Sequence, residues 1–570
     1  MKLLRGGGCF VAVLLVIFLA GCSRNYFRKS ADKQVYGIIQ AKSPLVQNAD
    51  PRFTIEQTNQ PPLEAFPVRT NVQDFLGPDG EQEQGARVLT LRDALEVAIK
   101  ASRSYQASKE QLYISALSLA LARHQFAPIF SSRNSVEYQV QTERAVTLTV
   151  DETTGEAKPV FSDNLVEHHQ IGGSVGIDTS WLIRDIGRLT TAFTLDATRF
   201  LIGSGNPITS SQLAATFTRP LLQNANYKQE TERLVQGERQ VLYDLREFTR
   251  YRKNFTVQIA TAYYGVLGNR DTVRNSFLNL QSSRKNAERS RALAQEGRIT
   301  QSDLGRLEQQ VLTTESTWIG AVRTYKQALD IFKIQLGLDA DANIVLDDHE
   351  LESLQIRHPN ISAEDSIQVA LVARLDLLNV KDQFEDAERQ IKLAESFLKP
   401  QVDFTAGVGL NSDPAKGNWA LPDPARYHWN AGLFLDPGLD RVAERNSYRT
   451  SLITRNRAAR AVVQQEDDIK LQVRDSWRTL DQAKRNYEIS EVGVKLAERR
   501  VEEQNLLAEL GRAKAQDQVD AQNDLITSKN LLTQALVTHT IARLQFWNNL
   551  GILYVKDNGQ WEEVKDAKTQ

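Results

Sequence analysis

TLRDALEVAIKASRSYQASKEQ, residues 90–111, returns in diverged form as SAEDSIQVALVARLDLLNVKDQ at residues 362–383. The offset of 272 pairs Asp93 with Asp365, Val97 with Val369, Ala98 with Ala370 and Lys109 with Lys381, and further on it pairs Pro128 with Pro400. It then shrinks to 217 at Pro220 and Pro437, and to 214 at Gly297 and Gly511 and at Leu336-Gly337 and Leu550-Gly551. A self-similar chain at a long fixed spacing is one structural unit used twice. The change in offset places a longer insertion in the first copy, over about residues 140–210.

Each copy has the same internal plan. Residues 90–127 and 362–399 read as helices, each stopped by a proline, Pro128 or Pro400. After Pro400, Val402, Phe404, Ala406, Val408 and Leu410 alternate with polar or small residues, and Tyr427, Trp429, Ala431, Leu433 and Leu435 do so before Pro437. Period-two alternation predicts strands with one apolar face. Phe130–Val140 and Leu213–Phe217 are the counterparts in the first copy, so each copy contributes at least one hairpin. Proline-free stretches over about 222–296 and 438–510 follow, with apolar residues seven apart: Val241, Phe248, Phe255, and Leu480, Tyr487, Val494, Val501. That is coiled-coil spacing. A helix of about 74 residues rises about 110 Å. Each ends at a glycine, Gly297 or Gly511, and turns back into a shorter helix. The insertion holds alternating segments at 171–181 and 191–201, which suit an extra extracellular hairpin.

The N-terminus reads as an export signal. Lys2 and Arg5 precede an apolar run at residues 10–20, and Leu19-Ala20-Gly21-Cys22 follows. The ending resembles a bacterial lipobox, which implies cleavage before Cys22 and its acylation, with palmitate. Ser23 rather than an aspartate after it favours the outer membrane by resemblance to enteric sorting rules. Cys9 leaves with the signal, so no pair remains for a disulfide. No later run of 18 apolar residues occurs, so a membrane crossing would have to be a closed β-barrel. Residues 22–87, with six prolines after residue 22, read as an extended tether from the lipid. A net charge of −2 carries no basic footprint for nucleic acid. No metal-ligand spacing, catalytic triad or nucleotide loop is present, and His168, His169 and His428 read as structural or solvated. No cofactor and no enzyme activity are expected.

Four strands cannot close a barrel, and an open edge in lipid leaves backbone groups unsatisfied, so the chain must oligomerise. The ordered repeat, the helix-ending prolines and the tip motifs EGRITQSDL (296–304) and ELGRAKAQD (509–517) resemble the TolC-like outer-membrane efflux family over about residues 88–555. The resemblance implies an α+β fold: a homotrimer whose outer-membrane β-barrel continues into a long periplasmic α-helical coiled-coil barrel. It implies a tunnel for efflux or type I secretion, working with a periplasmic membrane-fusion adaptor and an inner-membrane pump of RND or ABC type, in outer-membrane lipid. The expected layout is signal 1–21, tether 22–87, first repeat 88–345, linker 346–361, second repeat 362–555 and tail 556–570. Gly297, Arg298, Asp303, Gly511 and Arg512 are expected at tip turns that meet the adaptor. Asp517 and Asp520, three apart on one helix face, match the family's periplasmic gate, where Asp303 and Arg306 stand in the first copy. Pro128, Pro220, Pro400 and Pro437 mark the helix-to-strand boundaries. Heptads alone also suit an exported structural coiled-coil lipoprotein that spaces the outer membrane without a channel. The cargo stays open among drugs, metals and proteins, although a chain whose one methionine is Met1 offers no Met-lined copper or silver path.

Overall fold

A computed structural model describes residues 24–56, 63–150, 157–202, 208–413, 421–510, 512 and 514–562. The signal segment, Cys22, Gly511 and residues 563–570 of the tail lie outside the described residues. The helices of eleven residues or more are α1 (Arg24–Lys42), α2 (Leu91–Ala101), α3 (Arg103–His124), α4 (Lys228–Gln295), α5 (Gln301–Leu336), α6 (Ala363–Ala373), α7 (Leu375–Phe397), α8 (Val442–Glu509) and α9 (Ala515–Asn549). The strands of three residues or more are β1 (Arg87–Leu89), β2 (Ile129–Val150), β3 (Ala157–Ile183), β4 (Gly187–Ile202), β5 (Ile208–Pro220), β6 (Ile344–Leu346), β7 (Gln401–Asn411) and β8 (Tyr427–Asp436). The chain forms two units, each drawn from both halves of the sequence: a helical unit (1–116, 241–382, 459–570) and a sheet unit (117–240, 383–458).

In the helical unit the starts of α2, α5 and α6 are built alike. Thr90, Thr300 and Ser362 each accept a bond from the backbone N–H three residues on and donate to the aspartate carboxylate there, Asp93, Asp303 or Asp365. These contacts satisfy donors that a helix start leaves unpaired. Most heptad residues become core: Val241, Phe248 and Phe255 are buried, as are Leu245, Ile259, Leu480 and Val494, while Tyr487 and Val501 stay half-buried. A second cluster joins Ile367, Ala370 and Leu377 to Ile469, Val473, Leu480 and Phe546. Burying such side chains stabilises by about 1.5–3 kcal/mol each before entropy is counted.

Neither of the helices expected over 90–127 and 362–399 is continuous. Ser102 and Arg374 are extended (ψ 125° and 120°) and separate α2 from α3 and α6 from α7. The cause is close packing. Gly337 and Gly551, at φ +82° and +80°, press against the breaks, and a Cβ there would lie 2.1 Å from the Ala101 carbonyl oxygen and 3.1 Å from that of Ala373. Only glycine suits this backbone and this gap.

The tether is not extended either. Residues 24–42 form α1, because Val35, Ile38 and Ile39 make a short i, i+3, i+4 stripe that is buried. Farther along, residues 69–83 are clamped to the helical unit through Arg270, which is 1% exposed. Its guanidinium donates to Glu83 Oε1 (2.8 Å) and to the Tyr325 hydroxyl (2.6 Å), and pairs with Asp348 at 2.8 Å. The Phe75 ring lies 5.2 Å from the guanidinium carbon, and Trp318 Nε1 donates to the Phe75 carbonyl. A buried charge is tolerated only when so compensated.

The sheet unit holds one antiparallel sheet in the order β2-β3-β4-β5-β7-β8. The sequence suggests four or more strands, at least one hairpin from each half; the sheet has six. The insertion, over about residues 140–210, supplies all of β3 and β4 and the second half of β2. The β3–β4 turn (184–186) lies at the end where β2 begins, since Ile129 pairs with Ser180 and Trp181 Nε1 donates to the Phe126 carbonyl. It is therefore not an extra extracellular hairpin but an integral pair of strands. Fifteen residue pairs join β3 to β4 and eleven join β4 to β5, enough to hold the hairpin in the sheet.

Candidate functional site

The sheet has two chemically different faces, and the register keeps them in phase. Val136 stands beside Gly173 and Ala197; Ile177 beside Phe193, Leu213 and Leu410; Val408 beside Trp429. Because side chains alternate along each strand, these residues share one face with Phe130, Tyr138, Val175, Trp181, Leu433 and Leu435. Many of these apolar side chains are exposed in the single chain: Phe130 75%, Val136 80%, Trp429 72%. The opposite face carries Arg133, Glu137, Gln139, Gln170, Ser174, Asp178, Thr190, Thr194, Asp196, Gln212, Thr216, Asp403 and Thr405, with Ile129, Val166, Leu182, Phe200 and Phe434 among its apolar exceptions. Gly407 and Gly409 leave room on it for Asn430 and His428; a Cβ at Gly407 would meet Asn430 Oδ1 at 2.6 Å. An apolar face of this extent suits lipid, and a polar face suits a water-filled lumen.

All four boundary prolines sit at strand ends. Pro128 and Pro400 immediately precede β2 and β7, Pro220 ends β5, and Pro437 follows β8. A proline cannot donate to a sheet ladder and stops a helix, so it suits a junction.

The α4–α5 turn is closed as a left-handed helix cap. Gly297 has φ +73°, its N–H donates to the Ala294 carbonyl, and that of Arg298 donates to the Leu293 carbonyl at 2.9 Å. The second turn shows the same outer bond: the Arg512 N–H donates to the Leu507 carbonyl at 2.9 Å. Nothing lies within 4 Å of a Cβ built on Gly297, so this glycine serves the backbone alone. The two turns differ next door. Asp303 is committed to the Thr300 cap, whereas Lys514 at the start of α9 makes no side-chain cap bond. Asp517 is exposed and Asp520 half-buried, the latter accepting from Gln516 Nε2 at 2.9 Å. Ala287 and Leu307 pack with Ala515 nearby, and Gln310 Nε2 donates to Asn523 Oδ1.

Apolar residues also remain uncovered on the helices. Ile489, Val492 and Leu496 on α8 and Leu312 and Ile319 on α5 are more than half exposed. Sequence reasoning missed two buried polar groups. One is Arg270. The other is His539 on α9, fully buried, whose two ring nitrogens have no hydrogen-bond partner among the described residues. Among those residues no three His, Cys, Asp or Glu side chains gather as metal ligands, and no helix is long and apolar enough to cross a membrane.

No family model and no curated protein sequence matches this chain. Solved structures do. The outer-membrane channel OprN is similar at 12% identity and a TM-score of 0.57, over 89% of this chain and 99% of that one. The Campylobacter jejuni CmeC outer membrane channel is similar at 11% identity and 0.57, over 91% and 96%. The open state of the Neisseria gonorrhoeae MtrE outer membrane channel is similar at 12% identity and 0.57, over 88% and 99%. At such identities the likeness is one of fold, and it spans nearly the whole of each channel. The chain has the fold of these outer-membrane channels, the TolC-like fold.

Proposed function

We propose that this chain is one third of an outer-membrane tunnel that conducts substrates outward for an efflux or type I secretion system. The observation that carries this reading is the six-stranded sheet with one apolar and one polar face. Neither β2 nor β8 has a second strand partner among the described residues. Such a sheet in lipid must be closed by further copies. The uncovered apolar residues seven apart on α5 and α8 suit side-by-side helix packing between copies. Three copies would close the sheets into a barrel and set the helices around a periplasmic tunnel. A structural spacer without a channel has no use for a lipid-ready sheet face.

In this reading Cys22 carries the lipid anchor. The tip turns at Gly297, Arg298 and Asp303 and at Gly511 and Arg512 meet a periplasmic adaptor bound to an inner-membrane pump. Asp517 and Asp520 line the closed entrance. Purified protein in a planar bilayer should give discrete conductance steps, whereas a spacer would give none. Cys22→Ser should abolish palmitate incorporation; persistent labelling would refute the anchor.

A further inference from the structure

The β3–β4 hairpin has a consequence for what the channel can pass. We propose that it is a permanent part of the barrel wall, so that three copies close an eighteen-stranded barrel with a wide aqueous bore suited to bulky hydrated solutes. This rests on the three-copy tunnel reading above. Three observations support it. The hairpin is paired on both sides, β3 to β2 from Ile129 to Val150 and β4 to β5 from Arg188 to Thr198. Its apolar residues, such as Val175 and Phe193, fall on the same face as those of the other strands, so nothing marks it as an appendage. On the polar face β3 presents small residues, Gly172, Ser174, Gly176 and Ser180, which leave space rather than fill it.

Strand number sets bore. Barrel diameter grows roughly linearly with strand count, and barrels of 16–18 strands hold an open aqueous channel. Six strands per chain in place of four would widen the barrel about 1.5-fold and its cross-section about twofold.

Cysteine substitutions on whole cells test the idea, against a background of Cys9 and Cys22 alone. Ser174→Cys and Thr194→Cys should react with a membrane-impermeant maleimide at least tenfold faster than Val175→Cys and Phe193→Cys. Equal rates on both faces would overturn the inference. The pair Thr405→Cys and Val408→Cys on β7 separates the two levels. If β7 alternates and the hairpin does not, the channel stands and the wide barrel falls; if neither alternates, the channel reading falls with it. A second variant joins Val150 directly to Ile208, removing the hairpin and leaving four strands. Maleimide-polyethylene glycol of increasing size, applied from outside, should reach Thr405→Cys up to a larger size in the full chain than in this variant. An identical size limit would overturn the proposal, and the labelling pattern on the full chain decides it if the shortened chain does not fold.

Discussion

At the scale of single residues, the two tips are chemically unequal although their backbones turn alike. Asp303 spends its carboxylate on the Thr300 cap, while Asp517 and Asp520 sit on the first turns of an α9 that lacks such a cap. If three copies surround one axis, the second pair becomes two rings of three carboxylates, and acidic rings bind cations. Di- or trivalent cations on the periplasmic side should therefore block conductance, and Asp517→Ala with Asp520→Ala should remove the block and leave the trimer intact. A block unchanged by the double substitution would place these residues off the path. His539 makes a different prediction. Burial, then Arg543, His358 and Lys484, push its pKa down from 6.5 to about 4. Asp481 and Glu488 lie near His358, whose ring is 6.1 Å from that of His539. A histidine held neutral in the fold but protonated when unfolded lowers stability as pH falls below 6.5, and the loss is complete near pH 4. The expected loss at pH 5 is on the order of 1–2 kcal/mol. Thermal melts of the wild type at pH 7 and pH 5 should differ more than those of His539→Leu, and an equal difference would show that the group does not report on folding.

At the scale of elements, sequence periodicity was a good guide wherever one face of an element is covered and the other is wet. The strands after Pro400 and before Pro437 were legible because apolar and polar residues alternate strictly. The heptads of α4 and α8 were legible for the same reason at a different period. The breaks at Ser102 and Arg374 were not, because nothing local interrupts the helical pattern; glycines more than 170 residues away impose them. The helix at 24–42 was missed because its apolar stripe is three residues long. The tip turns belong to this scale. With the α4–α5 and α8–α9 reversals as adaptor contacts, photocrosslinkers at residues 296–303 and 510–517 should reach an adaptor hairpin. Crosslinks obtained only from residues near the strands would contradict that docking.

At the scale of the whole molecule, the sheet is what supports the proposed oligomer. Six strands fall short of the smallest single-chain barrels, and the apolar face has no cover in one chain. Native mass measurement in detergent should give three chains per particle, and a stable folded monomer would remove the basis for a closed barrel. The sequence by itself determined the class of elements, their order and the positions where helix passes to strand. Each of those depends on local patterning: a period of two or seven, a proline, a glycine past a helix end. Only the tertiary structure decided how many strands the wall has, since a strand's partners are chosen by register with distant chain, and 171–181 reads the same whether it pairs in the sheet or hangs outside it. It alone also showed the Arg270 clamp. A charge becomes buried only when Glu83, Asp348 and Tyr325 converge on it from three separate segments, and no spacing along the chain records that convergence.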